Sequence, residues 1–296
     1  MEVRVLRYFL AVAREESITG AAESLHITQP TLSKQLMEME QELGTTLFLR
    51  GKRKITLTED GIFLRKRAQE IVDLVDKTEN EFSDKDEDVI SGDVYIGGGE
   101  TEAMRLIART IQKMSGEYPQ IRYHLFSGNA DDVMERMDKG LLDFGIVIEP
   151  ADIKKYDYIK IPATDAWGLL MSKENPLSAK AVIKPSDMLG IPLMMSRQSM
   201  AQNDLSGWLG SNVEKLNIVG TYNLIYNAAL MVEEGFGSAL CLDKLVDLSG
   251  NRNLVFRPFA PKLESNLDLV WKKYQVFSKA SQKFLEYLQE EFSQMV

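Results

Sequence analysis

The chain has 296 residues, with 35 Lys/Arg against 44 Asp/Glu, for a formal charge of −9. That length exceeds one ordinary domain, and 44% hydrophobic with 27% charged residues describes a globular chain. One cysteine, Cys241, excludes an intramolecular disulfide and a four-cysteine zinc site, while two histidines, His26 and His124, argue against a histidine-based metal centre.

From the N-terminus, Val3, Leu6, Leu10 and Ala13 fall on one face of a helix over 3–15. Arg4, Arg7 and Arg14 interrupt this segment, so it does not read as a signal peptide. Ser17 or Thr19 can cap a short second helix, Gly20–Leu25, in which Ala21 and Ala22 permit close packing. After a turn at His26-Ile27, Thr28 caps a third helix. Pro30 is tolerated in its first turn, Leu32, Leu36, Met39 and Leu43 face inward, and Gly44 ends it. Two helices joined this tightly form a helix-turn-helix pattern.

Residues 46–57 read as a hairpin with a basic tip, Gly51-Lys52-Arg53-Lys54. Thr58 caps a long helix with Glu59 and Asp60 in its first turn. Its seam of Leu64, Ala68, Ile71, Val75, Thr78 and Phe82 favours pairing with a second copy over packing on its own domain. Ser83–Asp88 is a polar break.

Beyond the break, strands and helices alternate. Strands are predicted at Asp93–Gly97, Ile121–Phe126 and Phe144–Ile148, with helices at Thr101–Ser115 and Asp131–Lys139. Met104, Ile107, Ala108 and Ile111 are the inward positions of the first of these helices. This βαβαβ order implies a parallel sheet. A second α/β stretch has strands at Trp167–Met171, Pro192–Ser196, Val219–Tyr222, Gly237–Leu242 and Leu267–Trp271. Its helices are Leu224–Glu233 and Ser278–Gln289. No run approaches about 18 apolar residues, so no membrane span is expected and the chain reads as cytoplasmic.

The acid excess is uneven. Residues 1–58 hold eight basic against seven acidic side chains, and four of the eight lie between Arg50 and Lys54. A near-neutral reading head on an acidic body is compatible with DNA binding, because an electrostatic footprint is local. The outer face of the third helix carries Pro30, Lys34, Met37, Glu38 and Gln41, with Gln29, Thr31, Ser33 and Gln35 on its flanks. A recognition helix presents its first turns to base edges, and Gln, Ser and Thr suit that task. Thr28 starts the helix, while Arg50, Lys52 and Arg53 on the hairpin suit backbone phosphate or the minor groove.

These segments resemble the LysR-type transcriptional regulators. The matching residues are Thr28-Gln29-Pro30, Ser33, Gln35, Leu47-Phe48, Arg50, Leu57-Thr58 and Gly61. Leu36 stands where the family usually has Ile, and Met39-Glu40 where it has Leu-Glu. Weaker similarity continues through Gly92–Gly97, Tyr118-Pro119, Leu142–Ile146 and Gly235-Phe236-Gly237. The resemblance implies an α+β multi-domain chain. Its parts are a winged helix-turn-helix at 1–58, a linker and dimerisation helix at 59–88, and a two-lobe α/β effector domain at 89–296, similar to periplasmic binding proteins. Lobe I would be 89–161 with 267–296, and lobe II 162–266. It further implies operator DNA and a small-molecule effector as partners, with self-association as a dimer and commonly a homotetramer.

In two-lobed α/β folds a ligand lies at the carboxyl ends of the strands. This selects Gly99, Glu100 and Thr101 after the first strand, Ser127 and Gly128 after the second, Glu149 after the third, and Ser196 and Arg197 in the other lobe. The glycine-rich turn serves equally as a simple helix start with Thr101 as cap, and Glu149 equally as a hinge carboxylate in solvent. Glu100 departs from the Ser or Thr that the resemblance leads one to expect. The two acids disfavour an anionic ligand and Arg197 favours one, so ligand charge stays open. His124 reads as a satisfied strand histidine, and Cys241 as a buried inert thiol. No catalytic triad, metal-ligand cluster, phosphate loop or cofactor motif is found, which argues against an enzyme.

Overall fold

The structure is a computed structural model. It describes the chain except residues 52–53, 84–88, 198–202, 251 and 296, and the side chains at 50, 81–83, 203–204 and 211–213. Packing divides it into two units, Met1–Lys85 and Asp86–Val296.

The first unit contains α1 (Val3–Glu15), α2 (Ile18–Ser24), α3 (Gln29–Leu43), an antiparallel hairpin of β1 (Phe48–Arg50) and β2 (Ile55–Leu57), and α4 (Glu59–Ser83). Ser17 caps α2 by accepting the Gly20 amide at 3.2 Å, and Thr28 caps α3 by accepting that of Thr31 at 3.4 Å. Gly44, at φ +68°, closes α3 in the left-handed conformation.

The core joins Leu6, Phe9 and Val12 of α1 to Ala21 and Ala22 of α2 and to Leu32, Leu36 and Met39 of α3. The buried face of α1 is Val5, Leu6, Phe9 and Val12; Val3, Leu10 and Ala13, expected inside, are only half-buried. The helix turns to bury Phe9, which meets Phe48 with ring centroids 5.1 Å apart. A fully buried phenyl group contributes about 2–3 kcal/mol, far more than a methyl group at Ala13. Leu43 is 41% exposed rather than inward, since the last turn of α3 runs past the core.

The seam on α4 divides. Leu64 and Ala68 pack into this same core together with Val72, whereas Ile71 is 38% exposed and Thr78 exposed. The Phe82 side chain lies outside the described set. Arg7 pairs with Asp76 at 2.5 Å and ties α1 to α4. Both partners are partly exposed, so the pair is worth about 0–1 kcal/mol.

The second unit is a mixed sheet in the order β4-β3-β5-β11-β6-β9-β7-β8, with β10 also paired to β6. Strands β3 (Gly92–Gly98), β4 (Ile121–Ser127) and β5 (Phe144–Ile148) are parallel and linked by α5 (Met104–Glu117) and α6 (Ala130–Asp138). Helix α5 starts three residues later than the spacing suggests, and its buried residues are Ile107, Thr110 and Met114; Ala108 is exposed.

Strand β6 runs for 17 residues, Tyr156–Ser172, well beyond the Trp167–Met171 that the sequence predicts. Its residues 156–166 pair with β11 (Glu264–Lys272), and 167–172 with β9 (Ser238–Leu242) and β10 (Leu254–Pro258). The strand therefore belongs to two cores. One is built on Ile96, Phe144, Leu269 and Phe284, and the other on Leu169, Leu193, Leu205 and Leu240. The first half of β6 buries only Tyr156, Ile161 and Asp165 among exposed and half-buried residues, so its apolar signal is weak. Strand β10 was missed because its burial is shallow, with only Leu254 buried. The second core is completed by β7 (Pro192–Ser196), α7 (Asn203–Leu209), β8 (Asn217–Tyr222) and α8 (Ile225–Glu233), and α9 (Lys279–Ser293) covers the first.

Candidate functional site

Two surfaces carry the functional candidates. In the first unit, Thr28, Gln29, Pro30, Thr31 and Lys34 are exposed at the start of α3, and Ser33 and Gln35 are half-buried. Several of these groups engage one another. The Thr28 and Thr31 hydroxyls lie 2.8 Å apart, Gln35 Nε2 donates to Glu38 Oε2 at 2.8 Å, and Lys34 Nζ is 3.7 Å from the same carboxylate. Gln29 and Ser33 have no side-chain partner among the described residues, so their hydrogen-bonding capacity is intact.

On the hairpin, Arg50 ends β1 opposite Ile55, and Lys54 Nζ pairs with Glu16 Oε2 at 2.8 Å. One of the four clustered positive charges is thus already balanced. Lys52 and Arg53 lie outside the described residues. Glu40 contributes from the far end of α3: its Oε1 accepts the amides of Leu47 at 2.7 Å and Phe48 at 3.2 Å, fixing where the hairpin begins.

The second surface is a cavity where the ends of β3 and β5 meet β7, β9 and the start of α8. Gly99, Glu100, Gly128 and Ser196 of the expected residues line it, along with Asn129 and Ile148. Trp167, Tyr222, Cys241 and Leu242 complete the opposite wall, with the turn Asn223-Leu224-Ile225. Thr101, Ser127, Glu149 and Arg197 are not part of the lining. Thr101 is buried, donating its hydroxyl to Asp165 and accepting the Ala103 amide at 3.0 Å. Ser127 and Arg197 are exposed.

Glu149 accepts from Asn266 Nδ2 at 3.0 Å and lies 3.5 Å from Lys160 Nζ. The Asn266 bond, with Lys160 assisting, holds its carboxyl below the usual range. Nearby, burial raises Asp268 to about 6, and the charge of Glu149 adds to the rise. Burial likewise raises Asp165 and Cys241.

Glu100 does more than line the cavity. Its Oε2 accepts the amide of Ile225, the first residue of α8, at 2.5 Å. The N-cap position is Leu224, which has no side-chain oxygen, so a carboxylate from the other half of the unit satisfies this helix start. No metal-binding group of three or more His, Cys, Asp or Glu occurs among the described residues.

Residues 3–62 match the family described as bacterial regulatory helix-turn-helix protein, lysR family, and residues 87–293 match the LysR substrate binding domain. The chain belongs to the lysR family. It is a DNA-binding transcriptional regulator with an effector-binding domain, and this family consists of regulators rather than enzymes. Among relatives of this lysR-family chain is the HTH-type transcriptional regulator BsdA of Bacillus subtilis (strain 168), 30% identical over 67% of each chain. The DNA-binding transcriptional dual regulator OxyR of Escherichia coli (strain K12) is 29% identical over 66% of this chain and 63% of its own. The aligned parts thus span about two thirds of those relatives. Full-length CbnR, solved in complex with its target DNA, shares the fold with a TM-score of 0.76 at 17% identity, each chain covered completely.

Three features of this lysR-family chain were not singled out from sequence. Trp167 and Tyr222 look like ordinary strand aromatics, and only the pairing of β6 with β9 and β7 with β8 brings them to the cavity. The role of Ile225 is a backbone amide and leaves no residue-type signal. Glu40 did have a signal, as the acid of the family motif, but its partners lie seven and eight residues onward.

Proposed function

We propose that the chain reads operator DNA sequence-specifically through the first turns of α3, and that a small effector in the cavity beside Glu100 sets this activity. The supporting observation is the α3 start, held by the Thr28 cap, where Gln29 and Ser33 keep their full bonding capacity. Gln29, Thr31 and Ser33, with Thr28, Pro30, Lys34 and Gln35 around them, are assigned to base edges and nearby phosphates. Arg50, Lys52 and Arg53 are assigned to the DNA backbone.

The division that accompanies this reading is 1–58 for DNA, 59–88 for dimerisation, and 89–296 for the effector. Lobe I is 89–161 with 267–296, and lobe II is 162–266. Exposed Ile62, Phe63, Ile71 and Leu74 on α4 supply apolar surface for pairing with a second copy, and we assign a homotetramer as the working form. A cytoplasmic location fits a protein acting on chromosomal DNA; no helix among the described residues is long and apolar enough to cross a membrane. In the effector site, Gly99, Glu100, Gly128 and Ser196 would meet the ligand. Thr101, Ser127, Glu149 and Arg197 would act around it, Thr101 and Glu149 by holding the lobe junction.

Selection from random-sequence duplexes by the full chain tests the reading. It should enrich an inverted repeat with an interrupted dyad. Recovery of duplexes without a shared motif would contradict it.

A further inference from the structure

We propose that the cavity selects a small ligand carrying an ammonium group and rejects carboxylates, because Glu100 already occupies the anion position at the start of α8. The inference rests on the cavity being the effector site and names the chemistry of its ligand.

A helix start whose cap lacks a side-chain oxygen offers an unpaired amide to an anion. Here Glu100 takes that amide at 2.5 Å, so an incoming carboxylate would have to displace it or lie against it. No cationic side chain among the described lining residues compensates the second negative charge. Among the described residues, no Lys, Arg or His lines this cavity or the adjoining one, which Glu100 also borders beside Thr221, Tyr226 and Met231. Arg197 is exposed and outside both linings, and the sequence 198–202 holds no charged residue.

Several of the other polar groups are committed, and the Asn129 and Asn223 side-chain N–H groups that remain are neutral donors without a full charge. The indole N–H of Trp167 donates to Ser265 Oγ at 2.9 Å, and the Tyr222 hydroxyl donates to the Leu240 carbonyl. Asn129 and Asn223 use their side-chain carbonyls on the amides of Asp132 and Leu224. An ionised carboxylate has about four acceptor sites, and Ile225 fills one on Glu100. The charged recognition element among the described lining residues is therefore a negative acceptor, Glu100. Trp167 and Tyr222 also bring aromatic rings to the lining, a residue type whose ring faces attract cations. The cavity volume of about 60 Å³ suits the ammonium head group, and the adjoining cavity of about 460 Å³ that Glu100 also borders leaves room for the rest of a small ligand.

The test uses the full chain with n-butylammonium and butyrate, matched in length and opposite in charge. Thermal shift and ligand-observed NMR report binding. The wild type should bind n-butylammonium and not butyrate. Glu100→Gln keeps an acceptor for Ile225 and removes the charge, so ammonium affinity should fall about tenfold or more without a gain for butyrate. Glu100→Ala frees the Ile225 amide and should admit butyrate.

Butyrate binding to the wild type as well as n-butylammonium would overturn the inference. So would unchanged ammonium binding in Glu100→Gln, or binding of neither probe. A control with DNA separates this from the effector reading. Ammonium binding that leaves DNA affinity unchanged refutes gating but keeps the ligand class. A carboxylate that binds the wild type and alters DNA affinity does the reverse.

Discussion

Glu40 holds Leu47 across the junction between the recognition helix and the hairpin, accepting its amide at 2.7 Å and that of Phe48 at 3.2 Å on one oxygen. Both amides open the hairpin strand, whose other face packs Leu47 and Phe48 into the core. Hydrogen bonds to a charged group contribute about 1.5–3 kcal/mol, and orphaned donors cost about as much. Glu40→Ala should lower stability by about 2–3 kcal/mol in urea unfolding, and Glu40→Gln, which keeps an acceptor, by less than half of that. Equal losses in the two variants would show that the bonds are not what matters.

Gly61 explains a second part of the family motif. A Cβ there would stand 2.2 Å from the Leu47 carbonyl oxygen, so α4 can approach the hairpin only if residue 61 has no side chain. Thr58 tightens the same joint, donating its amide to Leu47 O at 3.0 Å and its hydroxyl to Thr46 O at 2.7 Å. Gly61→Ala should destabilise the first unit by about 1–3 kcal/mol although alanine is the better helix former. A stabilised variant would mean that the approach is not as close as described.

Asp268 gives the fold a pH dependence. Its carboxyl is buried, one of its oxygens has no partner, and its pKa rises from 3.8 to about 6. The native state holds this proton more tightly than the unfolded chain. The group's stabilising contribution is therefore full below about pH 4 and is lost as pH rises through about 6. Asp268→Asn should remove that slope, gaining on the wild type by about 2–3 kcal/mol between about pH 4 and pH 7. Glu149, whose pKa is lowered, works in the opposite sense: its contribution disappears as pH falls below the ordinary carboxylate range. Parallel stability curves for wild type and Asp268→Asn would refute the assignment.

Cys241 separates this chain from any sensor that works through a reactive thiol. It is 4% exposed, and burial raises its pKa well above the ordinary thiol value. Because the thiolate is the reactive form, labelling by a disulfide reagent should be slow in the native protein and rapid in denaturant. Prompt native labelling would contradict this.

The head was legible because its signals are local. Ser17, Thr28 and Gly44 cap or end helices where their residue types suggest, and Leu32, Leu36 and Met39 keep helical spacing. Only the start of the α4 seam, Leu64 and Ala68, packs inward, because a residue such as Ala68 fits a shared interface and an intrachain core equally well and only packing chooses between them. The cavity was half legible. Glycines after β3 and β4 mark strand ends, but Trp167, Tyr222 and Ile225 reach them from positions far along the chain. Thr101 had the expected hydroxyl, yet Asp165, which claims it, gives no local sign in sequence.

DNA recognition separates into two kinds of contact. Gln29→Ala and Ser33→Ala should each cost up to about 1–3 kcal/mol on the preferred site and much less on scrambled DNA. Arg50→Ala should weaken both sites alike and lower the salt slope by about one. Identical effects on both sequences from all three variants would show that the roles are misassigned.

The central claim is sequence-specific DNA binding by the full chain. Its most direct test is the dissociation constant for the selected inverted repeat and for a scrambled duplex, measured over a series of salt concentrations. The repeat should be preferred at least about a thousandfold, with log–log salt slopes that are negative on both duplexes. Equal affinity for the two duplexes, or affinity independent of salt, would contradict it.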